Sequence, residues 1–374
     1  MKKLLLLVAI MSLSISASAS HAYGGEITWK CFTSGPNAGK FKFYMTLYRD
    51  CGSGNATLPG GTVPLSSNSP AGSINLTQVG VNTDVSPTCY VTPSPIRCNV
   101  SPSGQGALEE ARYESAFINL TGTPPAGGWE FSYSLCCRPN TLTNLVNPGS
   151  QNLFLRAVMY PYSIAGIPQN TDPCYDSSPR FLEPPKSATC TGSPFTYVHI
   201  ASDVDLDSIY YNWAPSHTSS VTAIGYVSPY TFSSPLPSGG TPAQLNNVTG
   251  NISFTPLLGG SYATSVKVEA YKCGQKVSEV YREVPIVISN NCPNLPTGPL
   301  NRAPSMNVVS VPGFPAVTPA LTNGDTTHYE VAVFAGQQVR FNVVSQDPQL
   351  LPNFLPQTIT FQALGGQLGN PLSN

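Results

Sequence analysis

The stretch "KFKFYMTLYRD" (40–50) carries the pattern that most narrows the fold. Phe41, Phe43, Met45 and Leu47 alternate with Lys42, Tyr44, Thr46 and Tyr48, the period of a strand with one face buried and one wet. Runs of the same kind recur at "WEFSYSLCC" (129–137), "NLFLRAVMYPY" (152–162), "FTYVHIAS" (195–202), "SIYYNWAP" (208–215), "TSVKVEAYKC" (264–273) and "REVPIVIS" (282–289), and again at "HYEVAVFAG" (328–336) and "QVRFNVVSQD" (338–347). No window long enough for a helix keeps a 3.6-residue period, and 37 prolines and 32 glycines punctuate the chain, removing backbone donors and weakening regular elements. The pattern predicts an all-β protein of tandem immunoglobulin-like antiparallel β-sandwiches.

The N-terminus places the chain in an exported compartment. Lys2 and Lys3 precede the apolar run Leu4 to Leu13, and small residues follow to Ala17-Ser18-Ala19, with Ser20-His21-Ala22 a second fitting cut. Residues 1–22 therefore read as a secretory signal peptide, too short in its apolar part to span a bilayer. No later stretch approaches the roughly 20 apolar residues of a membrane helix, so no membrane insertion is expected. A formal net charge of -1 with 10% charged residues argues against nucleic acid as a partner, which requires clustered Lys and Arg.

In an exported chain, ten cysteines read as disulfides that stabilise the sandwiches: Cys31, Cys51, Cys89, Cys98, Cys136, Cys137, Cys174, Cys190, Cys273 and Cys292. None shows zinc-type CxxC spacing. Spacing does not fix connectivity; the pairs favoured are Cys31 with Cys51 or Cys137, Cys89 with Cys98, Cys174 with Cys190, and Cys273 with Cys292. Neighbours in a strand point to opposite faces, so Cys136 and Cys137 are expected to seek different partners.

An internal repeat organises the second half. Gly192 is followed by Phe195, Tyr197, His199 and Asp203, and Gly336 by Val339, Phe341, Val343 and Asp347 at the same offsets. The parse is a six-cysteine sandwich over 23–172, an immunoglobulin-like sandwich over 173–292, a linker "PNLPTGPLN" over 293–301 and a third immunoglobulin-like domain over 302–374. The last falls short of the roughly 100 residues such a sandwich takes, and is expected to be a fragment or to be completed by something else.

Candidate chemistry concentrates at "SDVDLDSIYYNW" (202–213), where Asp203, Asp205 and Asp207 occupy alternate positions in the turn between two strands. Alternate carboxylates in an extended loop supply two or three oxygens to calcium. The same residues also serve simply to satisfy turn donors, and the EF-hand pattern is absent. Neither a GxSxG elbow nor an HExxH helix occurs. His199 alternates with Phe195 and Tyr197 as a half-buried strand residue, His217 and His328 sit in Ser/Thr-rich surroundings, and nothing visible brings Glu26, Glu109 or Glu110 into a catalytic pair. The chain is read as non-enzymatic.

The blocks "YGGEITWKCF" (23–32), "YMTLYRDC" (44–51), "GWEFSYSLCCRPNTLTNLVNPGS" (128–150), "SSPRFLEPPKSATCTGSPFTYVHIASDVDLDSIYYNW" (177–213) and "YREVPIVISNNC" (281–292) resemble the N-terminal region of large secreted Bacteroidetes surface proteins with immunoglobulin-like or PKD-type repeats. The resemblance implies export by type IX secretion, a rod of stacked sandwiches at the outer cell surface, and a role in gliding or adhesion. It implies no catalytic residue. One departure stands out: the resembled turn reads D-x-D-G-D, whereas Leu206 stands here at the glycine position, and a Leu disfavours a left-handed backbone.

The functional expectation is a secreted structural or adhesive surface protein. Its partners would be other surface proteins or polysaccharide, with self-assembly through unpaired edge strands as a further route. The alternative is a carbohydrate-binding module using Tyr210, Tyr211, Trp213 and Trp129 as stacking platforms.

Overall fold

The computed structural model describes residues 22–51, 57–86, 97–98, 106–169, 174–182, 184–185, 188–192 and 194–290, with the backbone of four short strands between 305 and 346. The expected leader up to position 21, the linker 293–301, Cys89, Cys292 and Asp347 lie outside the described residues. Met1–Cys292 forms one compact unit and Pro293–Asn374 a second.

The described part of the first unit is nearly all β, without an α-helix. Its first group of strands is β1 (Ala22–Cys31), β2 (Phe41–Asp50), β3 (Thr62–Ser67), β4 (Ile74–Gln78), β5 (Thr83–Asp84), β6 (Leu108–Ser115), β7 (Trp129–Leu135) and β8 (Leu153–Met159). Two short pairs follow, β9 (Ser163–Ile164) with β10 (Ile167–Pro168), and β11 (Arg180–Phe181) with β14 (Ala201–Ser202). Between and after them come β12 (Ala188–Cys190), β13 (Phe195–Val198), β15 (Ser208–Trp213), β16 (Gln244–Leu245), β17 (Asn251–Phe254), β18 (Gly260–Lys272) and β19 (Gln275–Ser289). In β2 the alternation read from the sequence is realised: Phe41, Phe43, Met45 and Leu47 are buried. Phe43 packs against Phe131 of β7 with ring centroids 4.4 Å apart, and Trp29 of β1 tilts onto both.

Hydrogen-bonded neighbours run β1-β2-β6-β4-β3-β7-β8-β19-β18-β15, and β1 also pairs with β19. The first sheet therefore closes on itself through β19, a strand that arrives more than a hundred residues after β8 and belongs, in the sequence parse, to the second sandwich. β19 pairs with β8 at Ser278–Val280 and with β1 at Arg282 and Glu283. Its neighbours along its length also change: Val277 and Val280 join the core of the first group, whereas Val284, Ile286 and Ile288 join a second core with Tyr197, Tyr211, Ile252, Val266 and Val268. The boundary expected between 172 and 173 is thus crossed by one sheet, and the β18–β19 hairpin serves both cores.

The closure works because β1 carries Gly24-Gly25 where β19 arrives. A Cβ at Gly24 would stand 1.8 Å from the Glu283 carbonyl oxygen, and one at Gly25 would stand 2.2 Å from the Thr46 carbonyl oxygen and 2.8 Å from Leu155 Cδ1. The next register pair, Glu26 and Arg282, forms an ion pair at 3.3 Å. The Tyr48 hydroxyl donates to Glu26 Oε1 at 3.1 Å and accepts from Arg282 Nη2 at 3.2 Å. Beside them Glu283 is paired with the fully buried Arg138, whose guanidinium also donates to the carbonyls of Asn152 and His217. Buried charges of this kind stay folded only when paired, so the seam is bound by mutual neutralisation.

The disulfides correct the predicted pairing. Cys31 is bonded to Cys174, with Cα atoms 5.3 Å apart, instead of to Cys51 or Cys137. Cys98 is bonded to Cys51, which rules out the Cys89–Cys98 loop, and Cys174–Cys190 falls with the first pair. Cys190 is disulfide-bonded. Cys273 is an exposed thiol outside any disulfide, because it forms the tip of the β18–β19 hairpin with Gly274, so the expected Cys273–Cys292 bridge is absent. Cys136 and Cys137 are bonded to each other across a cis peptide. The alternation rule did not reach them, since β7 ends at Leu135 and strand geometry ends with it.

His199 leaves β13 into the second core, wholly buried, with Tyr197 and Phe181 rings edge-on at 4.5 and 6.2 Å. Neither ring nitrogen has a hydrogen-bond partner, and burial, reinforced by Arg282, holds its pKa well below the usual histidine value. In the second unit β20 (Ser305–Ser310) pairs with β23 (Asn342–Gln346), and β21 (Pro319–Asn323) with β22 (Thr326–Tyr329).

Two predictions follow from the closure and from His199. Gly24→Ala forces the β1 and β19 backbones apart at the seam and is expected to cost about 3 kcal/mol in urea unfolding, whereas Gly127→Ala, with nothing within 4 Å, should cost under about 1 kcal/mol. A depressed histidine pKa contributes stability above its unfolded value near 6.5 that is lost as pH falls. Relative to His199→Phe, the native chain should lose about 1.4 kcal/mol per pH unit below that value; equal slopes for the two proteins between pH 6.5 and 5.5 would contradict this.

Candidate functional site

The aspartate row lies where the sequence put it, in the turn between β14 and β15. Its geometry is a tight wrap around Asp203: Oδ1 of that residue accepts the Asp205 N–H at 2.9 Å and the Asp207 N–H at 3.3 Å. Leu206 sits in the left-handed region, φ 64°, with its side chain 62% exposed. The loop therefore adopts the glycine-type conformation that Leu206 was expected to oppose, because the two backbone bonds to Asp203 fix its course and the side chain meets only solvent.

The structure adds a residue that the sequence reading missed. Asp176 lies on the segment between Cys174 and Arg180, fully buried, and its carboxylate comes together with those of Asp203 and Asp207 so that one oxygen of each lies within 4.8 Å of the others. Both Asp176 oxygens lack a hydrogen-bond partner, as do Asp203 Oδ2 and Asp207 Oδ2, although the last is ion-paired. Asp205 turns the other way and accepts the Ser177 N–H, which ties the loop to the Asp176 segment. That segment is itself fastened to β1: Cys174 is bonded to Cys31, and the hydroxyls of Ser177 and Ser178 accept the N–H groups of Cys31 and Trp29.

Among the described residues one cation reaches the cluster. Lys272, at the end of β18, holds Asp207 Oδ2 at 3.1 Å and donates to the Tyr175 carbonyl at 2.7 Å. One ammonium facing four aspartates leaves a surplus of negative charge. Burial, then Asp203, push the Asp176 carboxyl well above the usual carboxylate range. Burial, then Asp207 and Asp205, push Asp203 up to about 7. Burial opposes the Lys272 charge, but Asp176 and Asp207 outweigh it and hold its pKa above the usual value. Chemically the arrangement is a set of hard oxygen donors without imidazole or thiolate among the three converging groups, which suits a hard cation such as calcium.

The remaining candidates fall into place less productively. Trp29 and Trp129 are buried in the first core and Tyr211 in the second, so they form no exposed row with the half-buried Trp213 and the exposed Tyr210. The Tyr211 hydroxyl instead accepts the Ala201 N–H at 3.0 Å. Glu26 and Glu110, which the sequence did not bring together, share a surface cleft of about 340 Å³ with Tyr48, Arg112, Arg180 and Phe181. Their charges are already engaged, Glu26 with Arg282 and Glu110 with Arg112.

Compared with protein-family models and with curated proteins, the chain matches none.

The left-handed Leu206 carries its own prediction. Such a conformation costs a non-glycine residue about 1–2 kcal/mol, so Leu206→Gly should raise unfolding stability by about 1 kcal/mol once the added freedom of the unfolded glycine is counted. A loss of stability on chemical denaturation would contradict the assignment of strain to this turn.

Proposed function

We propose that this chain is an exported, non-enzymatic structural or adhesive component of the outer cell surface, built of tandem immunoglobulin-like sandwiches that space and present binding faces. The observation that carries this reading is mechanical. The two cores share the long β18–β19 ladder, paired from Gly260↔Ile288 to Lys272↔Gln275 with one bulge after Ala270, and the segment leading from the first core toward the second is covalently tied to β1 by Cys31–Cys174. Displacing one core from the other would require shearing many backbone hydrogen bonds at once and straining a covalent link. That resistance suits a spacer under load and adds nothing to a catalyst.

The disulfides weakly favour an oxidising compartment, which agrees with the leader read from the sequence. Polysaccharide or a neighbouring surface protein is the partner class that fits a near-neutral exported surface. A carbohydrate-binding role is the second reading, and the cleft lined by Glu26, Tyr48, Glu110, Arg112, Arg180 and Phe181 favours it by offering the exposed Arg180 guanidinium beside the half-buried Phe181 ring.

Antibody against residues 22–290 should label intact, unpermeabilised cells, and a strain lacking the chain should attach less to a polysaccharide-coated surface without a growth defect. Labelling only after permeabilisation would sink the surface reading. Glycan binding lost in Arg180→Ala, with attachment unchanged in the deletion strain, would move the conclusion to the carbohydrate-binding module.

A further inference from the structure

We propose that Asp176, Asp203 and Asp207 bind a calcium ion that ties the segment after Cys174 to the turn entering β15. The three carboxylates come from two chain segments distant in sequence, and an oxygen of each lies within 4.8 Å of the others, close enough for a single ion with oxygen bonds of roughly 2.3–2.6 Å to touch all three. An acidic turn alone would not carry this inference. Asp176 does, because it is 0% exposed, comes from outside the turn, and leaves both oxygens without a hydrogen-bond partner while facing the loop. A buried carboxylate without donors is expensive to keep, and a cation held between it and the loop compensates that cost.

The donor set selects the ion. Three carboxylates arranged irregularly suit calcium, which accepts six to eight oxygens in flexible geometry, better than magnesium, which requires a near-ideal octahedron. Water or backbone carbonyls would complete the shell. Asp205 does not join the trio; its bond to the Ser177 N–H sets the distance between Asp176 and the turn. Lys272 competes for Asp207 but pairs only one carboxylate oxygen, and it keeps a second anchor on the Tyr175 carbonyl.

The consequence is a cation-dependent joint. The Asp176 segment is bound to β1 of the first core through Cys174, Ser177 and Ser178, while Asp207 leads directly into β15, whose Tyr211 belongs to the second core. An ion at this point would hold the two cores together in calcium-rich surroundings and loosen the joint when calcium is withdrawn. The inference stands on the carboxylate geometry and does not depend on the adhesive reading.

The test is thermal unfolding and titration calorimetry on the exported chain after chelation and dialysis, with EGTA, calcium or magnesium as the only variable. Calcium should bind with a Kd on the order of 10⁻⁴ to 10⁻³ M, the range of extracellular modules, and raise the melting temperature by several degrees, with magnesium giving a smaller shift. Asp176→Asn, which removes the buried charge and keeps the shape, should melt above the native chain in EGTA and show no calcium response. Should that variant fail to fold, Asp203→Asn is held to the same loss of calcium response. Lys272→Met should bind calcium several-fold more tightly. Absence of a calcium shift and heat in the native chain, or a full response retained in a folded Asp176→Asn or Asp203→Asn protein, would overturn the proposal.

Discussion

Everything in the first unit depends on the approach of β19 to β1 at Gly24-Gly25. Backbone oxygens of Glu283 and Thr46 occupy the space that side chains at these two positions would need. Without the glycine at 24 β19 could not pair with β1, and the first sheet would keep two open edges, although β18 would still hold Val284, Ile286 and Ile288 in the second core. The adjacent buried pairs, Glu26 with Arg282 and Glu283 with Arg138, add specificity to that contact. Removing one member would leave an unpaired charge in the interior, a penalty larger than the pair's own net contribution.

The calcium inference and the closure are connected through the same strand. β1 receives β19 along one edge, and through Cys31 and the N–H groups of Trp29 and Cys31 it holds the segment that positions Asp176. The carboxylate cluster is thus supported on a disulfide-braced strand rather than a free loop, and Asp176 can remain buried opposite a loop rich in like charge. Rigid support keeps these groups from swinging into solvent, which is the setting in which the proposed ion would relieve their repulsion.

The sequence and the structure agree most closely where a residue's environment depends on its immediate neighbours. Period-two alternation located β2, β7, β8, β15, β18 and β19 and the buried face of β2, although β18 and β19 are buried on both faces, and the turn at Asp203 to Asp207 lay between the expected strands. Agreement ends where partners are far apart. Cys31 and Cys174 are separated by 143 positions and Cys51 and Cys98 by 47, and nothing local marks either pair. The pairing of Cys136 with Cys137 went unseen for the opposite reason: strand alternation was extended two residues past the end of β7.

By itself, the sequence determined an all-β chain, the buried face of β2, and a carboxylate-rich turn, because each is set by side-chain periodicity or by residues a few positions apart. Only the tertiary structure decided that β19 closes the first sheet and that Asp176 joins Asp203 and Asp207. Both depend on strand order and on how closely two backbones can approach, and these are properties of packing that no short stretch of sequence contains. "YGGEI" could be quoted from the sequence as a block, but its two glycines acquired a physical meaning only when the Glu283 and Thr46 carbonyls were found against them.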